Sequence, residues 1–311
     1  MLHFQTLREG LPLFKALGSD TRIAILELLT EKGPMRMTAI AEELKITGGA
    51  LTTHVKMLNE AGILSIEARG GRHGIQKICR VKDERIVVES PMSRRGLQVY
   101  EAELDIGQFV DVDAKAPCGI ATPERLLQPV DDPAVFSGPE RLRAGVLWMG
   151  QGSVEYLVSN FLKAGQQLSE VQISLEAAAG LPDANGDHAG VLQVSLNGRE
   201  LGEIALPPEN PEQYGMYNPA WWNQQYRQGG VYRLLTVDAA GTHVDGTRVS
   251  DLRLADLQIT GRRSMPLKLT AKAGSGGFTL FGKGFGSVAQ GIRVRMYYQE
   301  KRKTEKKKAA K

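Results

Sequence analysis

The stretch TGGALTTHVKMLNEAGIL, residues 47–64, gathers side chains able to contact a polyanion and a hydrogen-bonding surface. Thr47, Thr52 and Thr53 carry hydroxyls that donate or accept, Lys56 carries a charge, and His54 a ring that can do either. Gly48, Gly49 and Ala50 leave space around them. Further along, Arg69, Arg72, His73 and Lys77 add cationic groups. A second collection lies in NPAWWNQQYRQGGVY, residues 218–232, where Trp221, Trp222, Asn223, Gln224 and Tyr226 set flat rings beside amides, with the carboxylate of Asp251 a further candidate. Rings edged by amides suit a sugar, which offers an apolar C–H face and a rim of hydroxyls.

Other chemistries are poorly represented. Cys79 and Cys118 are the only cysteines, too few for a disulfide framework, and the five histidines have no thiolate or carboxylate cluster at ligand spacing. No metal and no cofactor is expected. A glycosidase needs two carboxylates held across a sugar bond. Glu155, Glu176, Asp187 and Asp251 are available, but nothing in their spacing brings a pair together. Ser153 lacks the G-x-S-x-G setting of a nucleophile elbow. GSGGFTLFGKGFG, residues 274–286, has the glycines of a phosphate loop without a following helix or a Gly-Lys-Ser/Thr ending, so its glycines are expected to mark bulges or close packing.

The elements that must position these groups change character along the chain. Residues 10–62 carry the apolar spacing of short amphipathic helices. In SDTRIAILELLTEKG, Ser19 is placed to cap, Ile25, Leu26 and Leu29 share a face, and Gly33-Pro34 stops the helix. Thr38 is expected to open the next, with Ile40, Ala41 and Leu44 inward. Lys45-Ile46 then turns the chain, and Thr47 caps a third helix whose stripe is Leu51, Val55 and Leu58. After Gly62 the sequence alternates as a hairpin whose tip is Arg69-Gly70-Gly71-Arg72-His73-Gly74. From about residue 98, short β-type runs are separated by Gly, Pro, Asn and Asp, as in a sandwich or jelly roll. Residues 111–145 are irregular and rich in Pro and Asp. Two tryptophans in succession on a strand point to opposite faces, so one of Trp221 and Trp222 is expected inside and the other outside, unless both pack beneath a loop.

The fold class expected is therefore α+β and multidomain. Residues 1–92 form a winged helix-turn-helix, 93–300 an all-β, jelly-roll-like sandwich, and 301–311 a flexible lysine-rich tail. The charge follows the same division, with nets of +2, −4 and +6 behind the overall +4. The basic pI thus comes from KRKTEKKKAAK, which either adds sequence-blind attraction to phosphates or is simply solvated. Small residues early in a reading helix let its backbone approach the floor of a DNA major groove, and a basic wing can flank the adjacent backbone. On that reading Thr47, Gly48, Gly49, Ala50, Thr52, Thr53, His54, Lys56, Arg69, Arg72, His73 and Lys77 contact DNA. On the plainer reading Gly48-Gly49 is a loose turn and the threonines face water.

LFKALGSDTRIAILELL, TAIAEEL and TGGALTTHVKMLNEAGIL, across residues 10–90, resemble the ArsR-type winged-helix regulators of bacteria. The resemblance implies operator binding as a homodimer through the 47–61 helix and the 69–77 wing. Many such proteins sense metals, but the helix at Thr38 has no cysteine pair, so metal sensing is not expected. PCGIATPERLL, DDPAVFSGPERLRAGVLWMGQGSVEYLVSNFL, WWNQQY, VSDLRLADLQI and GGFTLFGKGFG resemble the β-sandwich half of bacterial regulators with the same layout, and the whole resembles galactose-binding-like sandwiches. The expected protein is a cytoplasmic, dimeric transcriptional regulator, not an enzyme and not membrane-bound, whose partners are double-stranded operator DNA and a sugar-like effector held by Trp221, Trp222, Asn223, Gln224, Tyr226 and Asp251. The rival readings are a carbohydrate-active enzyme or carbohydrate-binding protein with an accessory helical domain, and an architectural binder using the tail.

Overall fold

The computed structural model describes all residues except 1, 5, 72–73, 83–85, 89–95, 183–188, 209–214, 262, 273 and 301–311. The chain divides into two compact units, residues 1–95 and 96–311. The domain junction expected near residues 90–93, Asp187 and the lysine-rich tail fall outside the described residues.

The first unit runs β1 (Leu2–Phe4), α1 (Leu11–Leu17), α2 (Asp20–Lys32), β2 (Met35–Arg36), α3 (Met37–Glu43), α4 (Gly48–Glu60), β3 (Leu64–Gly71), β4 (Gly74–Val81) and β5 (Ile86–Val88). Pro12 lies in the first turn of α1, where a missing N–H costs nothing. Gly33, at φ 73°, ends α2 in a conformation that other residues rarely adopt. Ser19 does occupy the N-cap of α2, but its side chain makes no capping bond; its carbonyl accepts from Arg22 and Ile23 instead. α3 begins at Met37 rather than Thr38, because Met35 and Arg36 are held as a short strand against Cys79 and Ile78 of β4. The α3–α4 turn is closed by the Ile46 N–H on the Ala41 carbonyl, with Lys45 at φ 54°.

One core unites the unit: Leu13, Ala16, Ile25, Leu29, Ile40, Leu51, Val55, Leu58, Ile63, Leu64 and Cys79 are all buried. Each fully buried aliphatic side chain here contributes roughly 1.5–3 kcal/mol. Arg22 is buried as well. Its Nη2 donates to the Lys15 carbonyl at 2.8 Å and its Nε to that of Ala16, while Nη1 lies 3.6 Å from the Met57 sulfur. One guanidinium therefore satisfies carbonyls at the C-terminal end of α1 and touches α4. β3 and β4 pair antiparallel from Leu64↔Val81 to Gly71↔Gly74, making the wing.

The second unit is a β-sandwich with nearly continuous pairing. Its strands are β6 (Gln98–Leu104), β7 (Asp111–Ala121), β8 (Val146–Val158), β9 (Gln166–Ala179), β10 (Gly190–Leu196), β11 (Arg199–Leu206), β12 (Val231–Val237), β13 (Thr242–Val244), β14 (Thr247–Ser250), β15 (Met265–Ala271), β16 (Phe278–Phe281) and β17 (Ile292–Glu300). Pairing gives one half ordered β11-β10-β15-β8-β7 and another ordered β6-β17-β9-β12-β13-β14, with β16 bonded to β8 on one edge and β9 on the other. β7 lies in the stretch that looked irregular; its register shifts between Lys115 and Cys118, so Pro117 sits where no ladder N–H is needed.

Alternation sorts the strand residues into two clusters. Leu147, Met149, Ala177, Ala179, Phe278 and Leu280 enter the central core with Leu192, Leu267, Ile292 and Val294. Their neighbours Val146, Trp148, Ala178 and Phe281 point to the opposite face and pack with Trp222 and Phe285. β9 is consequently buried on both faces from Val171 to Ala179. The outer face is covered by residues 215–230, ahead of β12, and by the loop between β16 and β17.

Candidate functional site

In α4 the buried stripe decides what is left outside. With Leu51, Val55 and Leu58 inward, Thr47, Gly48, Gly49, Ala50, Thr52, Thr53 and Lys56 are all exposed. Thr47 caps the helix, its Oγ1 accepting from the Ala50 N–H at 3.2 Å. The other two threonines turn their hydroxyls back on the helix: Thr52 Oγ1 donates to the Gly48 carbonyl at 2.8 Å, and Thr53 Oγ1 to that of Gly49 at 3.4 Å. Lys56 is 73% exposed and stands 3.7 Å from Glu60, one turn on. His54 is half-buried, with its Nδ1 enclosed and unbonded, so at most its other edge reaches outward.

Gly48 and Gly49 have no internal reason to be glycine. Neither has a positive φ, and a Cβ added to either would meet nothing within 4 Å. Other glycines of the chain do have such reasons: a Cβ on Gly119 would lie 2.2 Å from the Trp148 ring, and one on Gly277 2.2 Å from the Met149 carbonyl. The space at Gly48-Gly49 opens to the outside only.

Of the wing residues, Lys77 is exposed on β4, opposite Ala68. Arg69 lies on β3 opposite Gln76. Arg72 and His73, expected at the tip, fall outside the described residues.

In the sandwich the tryptophan pair is not on a strand. Residues 220–226 form turns, so the expected alternation does not apply, and packing alone separates the two rings. Trp222 is buried, its Nε1 donating to the Arg227 carbonyl at 3.1 Å, with Phe285 and Tyr226 at centroid distances of 5.1 and 5.0 Å. Trp221 is 38% exposed; its Nε1 donates to the Pro123 carbonyl at 2.7 Å and its ring meets Trp222 edge-on. Tyr217 and Met216 are exposed nearby in sequence, and the Tyr217 N–H donates to the Gly286 carbonyl. Asn223 and Gln224 are exposed, the Asn223 Oδ1 accepting from Gln225 N–H at 2.9 Å. Asp251 does not join them. It follows β14, is 93% exposed and pairs with Arg248 at 2.6 Å.

The covering segment is fastened by a side chain that the sequence offered only as a catalytic candidate. Glu176 projects from β9 to the outer face and is 1% exposed. Its Oε1 accepts from the N–H groups of Gly230 at 2.8 Å and Ser287 at 2.9 Å, and its Oε2 from Ser287 and Val288, each at 2.9 Å. Asn218 adds a second tie, its Oδ1 accepting from Gly286 N–H and its Nδ2 donating to the Gln228 carbonyl, at 2.8 and 2.7 Å. Burial pushes the Glu176 carboxyl up to about 7, and the backbone N–H groups offset only part of that. No second carboxylate is found bonded in this cluster among the described residues, so Glu176 acts as a fastener of loops. Burial also raises the Cys79 and Cys118 thiols, each to about 11, which suits inert core residues. Among the described residues no group of three or more His, Cys, Asp or Glu side chains converges as a metal site, and no helix is long and apolar enough to cross a membrane.

Residues 19–65, from α2 to the start of β3, match the family model described as winged helix-turn-helix DNA-binding. Over 58 residues, 19% of this chain, the sequence is 40% identical to an uncharacterized HTH-type transcriptional regulator, MJ1325, of Methanocaldococcus jannaschii, and the matched part spans 65% of that relative's length. The likeness to solved structures is faint. A carbohydrate-binding module, CBM36, in complex with calcium and xylotriose is 10% identical with a TM-score of 0.27, covering 64% of this chain and 98% of that one. An exo-beta-1,3-galactanase from Phanerochaete chrysosporium, with galactose, is 11% identical with a TM-score of 0.21, covering 75% of this chain and 41% of the other. At such scores neither structure carries an argument about the ligand.

Two stability measurements follow from this geometry. Gly49→Ala is expected to stabilise the first unit by up to about 1 kcal/mol, since Ala favours helix and its methyl meets nothing; loss of helical signal at lower temperature in circular dichroism would contradict an outward-facing glycine. For Glu176, the folded carboxyl keeps its proton up to about pH 7 whereas the unfolded one releases it near 4.5, so the folded state binds more protons between them. Stability of the sandwich is then greatest below pH 4.5, as far as this group goes, and falls by on the order of 3 kcal/mol as pH climbs through 7. All three tryptophans lie in this unit, so fluorescence melts at about pH 5 and about pH 8 isolate it. Glu176→Gln should flatten the difference, and an unchanged difference would refute the assignment.

Proposed function

We propose that the protein is a cytoplasmic, ArsR-like transcriptional regulator that binds operator DNA as a homodimer through α4 and the β3–β4 wing, and that residues 93–300 sense a small, sugar-like effector. The observation that carries the reading is the exposed face of α4: small, uncharged at its start, backed by a fully buried stripe, and interrupted by two glycines that nothing inside the unit requires. A groove-entering helix has that need, because each Cβ removed lets the backbone approach the base edges. The match of residues 19–65 to a DNA-binding family model supports the same helix. Thr47, at the helix N-terminus, and Lys56 and Lys77, both exposed, are suited to phosphates; Arg69 on β3 has the same chemistry, as do Arg72 and His73, which lie outside the described residues.

For the second unit we place the effector on the exposed side of Trp221, with Asn223 and Gln224 as its amide rim and Trp222 and Tyr226 as the packed support beneath. Asp251 drops out of this site because it is paired elsewhere. Effector binding would shift the spacing of two reading helices that must match half-sites about 34 Å apart. The enzyme reading is less well supported, since the buried Glu176 is committed to backbone N–H groups and shows no carboxylate partner among the described residues.

Replacing Thr52 and Thr53 together by Glu should abolish retardation of promoter fragments that the native chain retards, while the melting curve stays within about 1 kcal/mol of native, as expected of exposed positions. Retained retardation would remove α4 as the reader. In a panel of mono- and oligosaccharides, any that raises the melting temperature of the native chain should lose most of that shift in Trp221→Ala; an undiminished shift would displace the effector from this patch.

A further inference from the structure

Resting on the regulator reading above, we propose that α4 reads thymine methyl groups rather than guanine edges. The first two turns of α4 carry Gly48, Gly49, Ala50, Thr52 and Thr53 outward, and α4 contains no Arg or Gln. In the major groove guanine presents two acceptors, N7 and O6, and is recognised by donors, most often the two N–H groups of Arg or the ammonium of Lys. Apart from His54, whose Nδ1 is enclosed within the unit, the side-chain donors in those outward turns are threonine hydroxyls, and both are turned back toward the helix backbone. The Thr52 hydroxyl donates to Gly48 and that of Thr53 to Gly49, so what each threonine shows the groove is a methyl group and oxygen lone pairs. The Ala50 methyl is exposed beside them. Lys56 comes a full turn later, shares its charge with Glu60 and is better placed for a phosphate. Asn59, also exposed, lies in the last turn, away from the end of a reading helix that meets base edges.

A patch of methyl groups, open at two glycines, is complementary to the C5-methyl of thymine, which stands out on the groove floor beside a single acceptor. The lone pairs add a weaker preference for the amino N–H of adenine or cytosine nearby. Thr52 and Thr53 are on this view specificity-determining through their methyl groups, with their hydroxyls serving the helix.

The test starts from a duplex pool with a randomised centre, from which the full-length chain selects its own sites. Enriched duplexes are then rebuilt with deoxyuridine in place of thymidine, which removes only the methyl, or with 7-deazaguanine in place of guanine, which removes only the N7 acceptor. Deoxyuridine should weaken binding about fourfold for each methyl contacted, the worth of burying one such group. 7-Deazaguanine should leave affinity unchanged. Thr52→Ser with Thr53→Ser, which keeps the hydroxyls and removes the methyls, should abolish the sensitivity to deoxyuridine. Thr52→Val with Thr53→Val, which does the reverse, should preserve it. Enriched sites that bind equally with or without thymine methyls, or that weaken with 7-deazaguanine, would overturn this proposal and leave the regulator reading standing. No enrichment at all would overturn both.

Discussion

The burial of Leu51, Val55 and Leu58 against Ile25, Leu29 and Ile40 is the interaction on which the rest of the first unit depends. Three side chains on one helical face, each fully enclosed, fix the rotation of α4 about its own axis. That rotation selects which residues face out, and it does so more firmly than any exposed contact can. An exposed ion pair such as Lys56 with Glu60 contributes a few tenths of a kcal/mol. A buried leucine contributes several times more. The character of the outward face is thus a consequence of the inward one, and substitutions on it leave the framework standing.

The stripe and its complement were legible in the sequence because helical periodicity is local. Thr47, Gly48, Gly49, Ala50, Thr52, Thr53 and Lys56 follow from the spacing of three aliphatic residues. Arg22 was not legible. An arginine inside an amphipathic helix ordinarily reads as solvated, and its burial depends on the end of α1 offering two carbonyls across the interhelical gap. β2 was missed for a related reason: two residues, Met35 and Arg36, have no period, and only their pairing with β4 makes them a strand.

In the sandwich the same division recurs with larger consequences. Strands such as β10 and β15 alternate regularly and announce themselves. β7 did not, because Pro117 interrupts it midway between an alternating first half and a continuously buried second half, and the interruption is accommodated by a shift in register that only the partner strand reveals. The tryptophan pair was read through strand alternation, yet residues 220–226 turn, and Trp222 is inside because the outer faces of β8, β9 and β16 supply a floor of Val146, Trp148, Ala178 and Phe281. That floor is visible only once the sheet is assembled. The role of Glu176 was equally hidden, since the N–H groups it binds lie 54 and 111–112 residues away in sequence.

Glu176 also shows how the aromatic surface is held. A carboxylate buried this deeply is costly unless its lone pairs are filled, and here they are filled by the backbone of two loops. Gly286 fits the same requirement: a Cβ there would approach the carboxylate to 2.6 Å, so the loop can close over Glu176 only as glycine, and its φ of 72° suits no other residue as well. The two features explain one another. The carboxyl draws the loop down, the glycine lets it come, and Phe285 is thereby set against Trp222 and Trp221 at ring distances of 5.1 and 6.2 Å. The half-exposed ring of Trp221 is the outermost layer of that stack. Its orientation is settled from beneath, by the hydrogen bond to Pro123 and by a buried carboxyl that never reaches the surface. A ring held this rigidly has little conformational entropy left to lose, and the glutamate that holds it does so from beneath the surface.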